Sequence, residues 1–256
     1  MRPPPLLATD TFRAVGLVAA LEAAGLQERV DVNYLVSVDV FLELAHRLRS
    51  SHALLEIDGR HEFAYRTTYF DTADLRAYRD HIQQRRRRYK CRAREYVDSG
   101  LCAFEVKLKS ARGRTVKHRM PYDRRDELSE PAIAFLDDCV QRWYGRRPEP
   151  DLRPALAATY TRLTLVAPEL GERLTCDYGL SFRAPDGAGG RLAEDTVVIE
   201  SKSLRGGAIA ERELLALGAR PESVCSKYCL GIGITNPHVK TNDLRPLMRR
   251  HFHGAP

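Results

Sequence analysis

The stretch Tyr89-Lys90-Cys91-Arg92-Ala93-Arg94-Glu95-Tyr96 decides how this chain folds. With a period of two, Lys90, Arg92 and Arg94 share one face of a strand, and Cys91 and Ala93 share the other. Phe104-Glu105-Val106-Lys107-Leu108-Lys109 repeats the pattern, with Glu105, Lys107 and Lys109 opposite Phe104, Val106 and Leu108. Thr115, Lys117 and Arg119 then alternate with Val116 and His118. The turn-forming Asp98-Ser99-Gly100 and Ala111-Arg112-Gly113 separate the three, which therefore read as a meander. Lysine and glutamate are depleted in strands, so strict alternation that uses them needs a reason. For one strand alone, the simplest reason is a half-buried sheet with a solvated charged face.

Outward from the meander the same face recurs. Residues 28–36 place Arg29, Asp31 and Asn33 against Val30, Val32 and Tyr34. Residues 156–166 group Tyr160, Arg162 and Thr164, and residues 173–182 group Arg173, Thr175 and Asp177. Residues 197–202 set Val198, Glu200 and Lys202 together, and 224–232 carry Ser226-Lys227-Tyr228. Residues 63–70 form a strand that runs into Tyr69-Phe70-Asp71-Thr72. Helical spacing predicts a helix from Asp10 or Thr11 to about Ala24, and others over 38–48, 73–82, 126–144, 210–217 and 243–252. In the fourth of these, Ile133 and Trp143 are expected on the buried side. Residues 184–190 read as a flexible loop. The expected organisation is an N-terminal helical extension over 1–27, a main domain over 28–235, and a basic C-terminal helix over 236–256.

Composition bounds the partners. The formal net charge of +7 calls for an anionic ligand: nucleic acid, nucleotide, polyphosphate or membrane surface. No aromatic platform interleaves with the basic residues, which argues against single-stranded nucleic acid. The longest apolar run near the start, 14–26, is broken by Gly16, Glu22 and Gly25 and is too short to span a bilayer. It is also a poor signal peptide. The six cysteines contain no CxxC pair, so reduced, buried thiols in a cytoplasmic protein are expected. There is no Walker motif, GxGxxG or kinase-type HRD.

With at least six strands carrying charges at alternate positions, a solvated face no longer suffices. The alternative is a closed sheet with its charges inside and helices covering its apolar outside. Lys90, Arg92, Arg94, Lys107, Lys109, Lys117, Arg119, Arg162, Lys202 and Lys227 would line the interior, together with the acids Asp31, Glu105, Asp177 and Glu200. Cations so crowded need a polyanion or acidic partners. A few carboxylates among phosphate-binding cations are the usual setting for Mg²⁺ or Mn²⁺. Phosphoryl transfer by positioning and charge neutralisation is the chemistry this suggests.

The ordered motifs resemble the vacuolar transporter chaperone (VTC) domain, the polyphosphate polymerase module of the CYTH or triphosphate tunnel metalloenzyme superfamily. They are Arg29-x-Asp31-x-Asn33-Tyr34-Leu35-Val36-Ser37, Tyr69-Phe70-Asp71-Thr72, Lys90-x-Arg92-x-Arg94-x-Tyr96 and Phe104-Glu105-Val106-Lys107-x-Lys109. Thr115-x-Lys117-x-Arg119, Glu200-x-Lys202 and Ser226-Lys227-Tyr228 complete the series. The resemblance implies an α+β fold: an antiparallel eight-stranded barrel, or tunnel, with a charged interior and helices packed outside.

It further implies transfer of the γ-phosphate of ATP onto polyphosphate, with Mn²⁺ or Mg²⁺. On that likeness Lys90, Arg92, Arg94, Lys107, Arg162, Lys202 and Lys227 serve catalysis. Lys109, Lys117, Arg119, Asn33 and Ser226 hold phosphate, and Glu200, Glu105, Asp177 and Asp31 are the metal-binding acids, Glu200 first among them. One position departs from the family's Glu-x-Lys on the first strand: here Asp31 and Asn33 stand, so a cation is replaced by an amide. Two other activities stay open. One is a tripolyphosphatase or nucleoside triphosphatase, and the other a non-catalytic polyphosphate- or nucleotide-binding module. The expected partners are ATP or another triphosphate and polyphosphate, without nucleic acid. The chain looks like the catalytic module alone, and a membrane-protein partner would have to supply any span.

Overall fold

Alternating residues become strands, and helices cover their apolar sides, throughout a computed structural model that describes residues 11–23, 30–109, 115–204, 206–222 and 226–253. In chain order the first half holds β1 (Ala14–Val15), α1 (Leu17–Ala23), β2 (Val30–Ser37), α2 (Val38–Leu48), β3 (Ala53–Leu55), β4 (Phe63–Asp71) and α3 (Arg76–Ile82). Next come β5 (Arg88–Tyr96), β6 (Leu101–Lys109), β7 (Thr115–Pro121), α4 (Glu130–Tyr144) and β8 (Arg153–Ala167). The chain ends with β9 (Glu172–Arg183), β10 (Gly189–Leu192), β11 (Thr196–Ser203), α5 (Ile209–Ala216), α6 (Lys227–Thr235), α7 (Arg245–His251) and β12 (Phe252–His253). The fold is α+β; the ladders β2–β11, β9–β11, β9–β10, β3–β8, β4–β5, β5–β6 and β6–β7 are antiparallel, and the short pair β1–β3 is parallel.

The chain divides into two units. The first comprises Met1–Phe63, Tyr160–Leu180 and Leu192–Cys225. Its strands run in the order β2-β11-β9-β8-β3-β1. Tyr34, Val36, Leu163, Leu165, Leu174, Cys176, Val197 and Ile199 point to one side and meet Phe41, Leu44 and Leu48 of α2 and Ala210 and Leu214 of α5. Ser37 ends β2 and starts α2, its Oγ accepting the Val40 N–H at 3.3 Å. Gly171, at φ +61°, takes the left-handed turn that leads from β8 into β9.

The second unit comprises Ala64–Thr159, Ser181–Arg191 and Ser226–Pro256. Here β4, β5, β6 and β7 form the meander. Phe70, Tyr89, Cys91, Ala93, Phe104, Val106 and Leu108 pack against Ala132, Leu136, Cys139, Val140 and Tyr144 of α4. Each large side chain so buried contributes about 1.5–3 kcal/mol. Ser129 caps α4, and Gly145 closes it in the left-handed conformation.

The structure corrects several sequence expectations. The first helix begins at Leu17, because Ala14–Val15 pairs with Leu54–Leu55 instead; Asp10, Ala24 and Gly25 lie outside the described residues. Three-residue β3 is too short to show a period. The helix read from residue 126 begins at Glu130, where Ser129 supplies the cap. Ile133 and Trp143 are 49% and 43% exposed, because the buried stripe of α4 runs through Ala132, Leu136, Val140 and Tyr144, four residues apart. The expected flexible loop over 184–190 closes a hairpin in which Gly189–Arg191 pairs with Ser181–Arg183. Lys227 stands on no strand: Ser226 caps a helix, α6, and Lys227 occupies its first turn. The reading of a solvated charged face fails at its centre, where Glu105 is 2% exposed and Arg94 7%.

Candidate functional site

In the second unit, register assembles the cations. Lys90 lies across from Lys107 and Lys107 from Lys117; Arg92 lies across from Glu105 and Glu105 from Arg119. Directly opposed residues share a face. Glu105 is therefore ringed by positive charge. Arg92 donates to its Oε2 from Nε at 2.8 Å and approaches with Nη2 at 2.7 Å. Arg94 Nη1 stands 3.8 Å from the same oxygen, and Lys117 pairs with Oε1. Burial alone would raise the Glu105 carboxyl, but Arg94, Arg92 and Lys117 outweigh it and hold the group well below the usual carboxylate range. Lys117 is pulled down by burial, with Glu105 opposing and the two guanidiniums assisting. Arg92 also donates to Tyr69 Oη at 3.2 Å, and Arg94 lies 5.5 Å from the centre of the Tyr65 ring. Arg119 is exposed.

Further along the same face lies a cavity of about 150 Å³, lined by His81, Arg88, Lys90, Lys107, Leu108, Lys109 and Thr115. That is roughly an order of magnitude above the ~10–15 Å³ that a single water needs. Among the described residues no carboxylate lines it. Lys109 Nζ reaches Thr115 Oγ1 at 3.4 Å. His81 Nδ1 meets the Ala77 carbonyl at 2.7 Å.

Two motifs that are separate in sequence meet in this unit. Asp71, fully buried, accepts the N–H groups of Thr72 (2.8 Å), Ala77 (2.8 Å) and Tyr78 (3.1 Å) with its carboxylate, and so seats α3. It also accepts the Tyr228 hydroxyl. Burial pushes the Asp71 carboxyl up, against the pull of these four hydrogen bonds. Tyr228 stacks on Tyr69, with ring centres 5.1 Å apart, and Tyr69 receives Arg92. Ser226 and Lys227, which immediately precede Tyr228, are thereby fixed by the Tyr69-Phe70-Asp71-Thr72 turn. Ser226 Oγ accepts the Cys229 N–H at 3.1 Å and is occupied as a cap.

In the first unit, Asp31, Lys202 and Arg173 lie in one cross-strand row, and Asn33, Glu200 and Thr175 in the next. Arg162 grips Asp177 with two parallel hydrogen bonds, Nε to Oδ1 at 2.6 Å and Nη2 to Oδ2 at 2.8 Å. Asp177 is 1% exposed. Lys202 pairs with Glu200 and donates to Thr175 Oγ1 at 3.3 Å. Burial pushes the Lys202 ammonium down to about 8; Glu200 and Asp31 oppose this, and Arg162 and Arg173 add to it.

Among the described residues, no three His, Cys, Asp or Glu side chains gather as a metal cage. The acids nonetheless fit a hard cation that keeps most of its ligands as water and phosphate oxygens. Glu200 is a quarter exposed, and Asp31 is its diagonal neighbour on the same face. Glu105 and Asp177 are committed to arginines. Every candidate cation and acid of the sequence reading thus falls on a charged sheet face of its own unit, except Ser226 and Lys227, which head α6. The sequence reading gave no site role to Tyr69, His81, Arg88, Arg173 or Thr115, although it placed Arg173 with Thr175 and Asp177, and Thr115 with Lys117 and Arg119, on shared faces. Alternation with Thr175 and Asp177 pointed to Arg173; nothing local pointed to His81.

The chain is thus an antiparallel α+β protein with basic clusters on its sheet faces. The VTC domain model matches residues 28–236, and the chain belongs to the VTC domain family. No curated protein matches it. Solved structures similar to it include a proposed adenylate cyclase from Bacillus halodurans, at 15% identity and TM-score 0.46 over 78% of this chain and 95% of that one. A proposed adenylate cyclase from Vibrio parahaemolyticus is similar at 15% identity and TM-score 0.44, covering 80% and 98%. A proposed adenylyl cyclase from Hippeastrum, described as having a dominant triphosphatase activity, is similar at 15% identity and TM-score 0.43, covering 79% and 93%. No helix among the described residues is long and apolar enough to cross a membrane.

Proposed function

We propose that this VTC-domain chain is a metal-dependent phosphoryl-transfer enzyme that extends polyphosphate with the γ-phosphate of ATP. The observation that carries the reading is the cavity beside Lys90, Lys107 and Lys109, whose lining among the described residues is rich in cations and holds no carboxylate. Lysines supply point charge there; Arg92, Arg94 and Arg162 present planar forks suited to bidentate phosphate contact. Phosphoryl transfer asks the protein chiefly to position the chain and to neutralise charge that develops on the transferring group. Glu105 and Asp177 orient Arg92 and Arg162 for that task. Glu200 and Asp31 would hold Mn²⁺ or Mg²⁺, which supplies charge neutralisation at phosphate oxygens when bound. Lys227, at the head of α6, adds a further cation held in place through Tyr228.

The test is incubation of the chain with ATP and Mn²⁺. Polymer and ADP are expected. Orthophosphate without polymer would instead make the chain a triphosphatase. One observation favours a third activity: Asn33, across from Glu200, puts an amide where the family carries a lysine. A non-catalytic phosphate binder predicts no turnover, with binding that survives Glu200→Ala.

A further inference from the structure

The cations of the cavity are absorbed by this reading; His81 is not. It sits in the last turn of α3, half-buried, and lines the cavity together with Arg88 and Lys90 of β5 and Lys107 and Lys109 of β6. We propose that His81 is a phosphate-binding residue that takes up a proton from solvent as the phosphate enters, so that anion binding and proton binding are linked. This rests on the phosphate-handling reading of the same cavity.

The geometry leaves His81 one way to meet an anion. Its Nδ1 faces the Ala77 carbonyl at 2.7 Å, which fixes Nδ1–H as a donor. In the neutral ring, Nε2 then carries a lone pair, and a lone pair repels a phosphate oxygen. A proton on Nε2 turns that repulsion into a charge-assisted hydrogen bond. The surroundings decide when the proton arrives. Burial pushes the imidazole well below its usual range, and Lys90, then Arg88 and Lys107, push the same way against the Ala77 hydrogen bond. Asp80 of the same helix is engaged by Arg76 and Arg85. The titratable residues of α6 are Lys227, Tyr228, whose hydroxyl is turned to Asp71, and Cys229, whose thiol feels Lys90 and Arg88. The unliganded ring is therefore neutral at pH 7. A phosphate among these cations offsets their field and presents an anion to the ring; together these oppose the burial that chiefly keeps it neutral, and the imidazolium becomes the favoured form.

The experiment is calorimetric titration of the whole chain with inorganic tripolyphosphate, in two buffers of different ionisation enthalpy, between pH 6 and 8. The wild type is expected to take up more protons on binding than His81→Asn, which preserves a donor toward Ala77, or His81→Gln. Its affinity should also rise more steeply as the pH falls, the excess slope being at most tenfold per pH unit for one proton. Ring NMR signals of wild-type His81 should report protonation at pH 7 only with tripolyphosphate present, a measurement that needs no variant. Equal proton uptake in all three proteins, or a His81 ring unchanged by ligand, overturns the proposal while leaving the cavity a phosphate site. Absence of tripolyphosphate binding to the wild type overturns both.

Discussion

One buried acid serves three cations at Glu105. Removing a charge from such a cluster leaves the others uncompensated, which in buried pairs costs about 3–5 kcal/mol. Glu105→Gln keeps the shape and loses the charge, so its destabilisation should show in urea unfolding at pH 7. The sign of the pH dependence follows from the direction of the shift. The folded carboxyl sits below its unfolded value, so its contribution is fully present above the unfolded value near 4.5 and is lost as pH falls through the folded one. Wild-type stability should therefore drop through the acid range more steeply than that of Glu105→Gln. Parallel curves would show that the ring of cations does not hold Glu105 ionised. The pairing itself was half legible. Alternation placed Glu105 with Arg92 on one face, but which acid faces which cation depends on register between strands, as it does for Arg162 and Asp177, fifteen residues apart.

At the scale of elements, α6 separates what sequence shows from what it hides. From Tyr228 to Thr235 every residue is buried. A helix apolar on all sides has no 3.6-residue stripe, and Gly231 and Gly233 weaken its propensity further. Only the structure shows Ser226 as its N-cap. The glycines are there for closeness: a Cβ on Gly231 would lie 2.7 Å from Phe182 Cδ1 and would also meet Leu156. Gly231→Ala should destabilise by about 1–3 kcal/mol through overpacking, seen as a lower Tm. Because Lys227 heads this helix, phosphate affinity should fall with it; an unchanged Tm would mean that α6 can shift to make room. The meander, by contrast, was read correctly strand by strand, since β5, β6 and β7 each keep a strict two-residue period, with one face of β5 and β6 in the core and Met120 of β7 packed against it.

At the scale of the whole molecule, the net charge of +7 and its concentration on sheet faces set how the chain meets ions in solution. Exposed charges are screened within about 8–10 Å at ordinary salt. Tripolyphosphate affinity measured by calorimetry should therefore fall as sodium chloride rises from about 50 to 200 mM, in line with the ~10 Å screening length there. Sodium acetate at equal ionic strength should weaken binding no more than chloride does, while inorganic sulfate should compete beyond screening. Affinity indifferent to salt would place the binding outside these clusters. The comparison with acetate turns on Glu105 and Asp177, carboxylates already in contact with Arg92 and Arg162. The protein supplies its own oxyanions to these arginines. Its guanidinium groups are spaced and oriented around an oxyanion from the moment the chain folds, so the entropy of arranging them is lost at folding and not on encounter. A solitary carboxylate from solution gains nothing by displacing a tethered one, so acetate should find these arginines already taken.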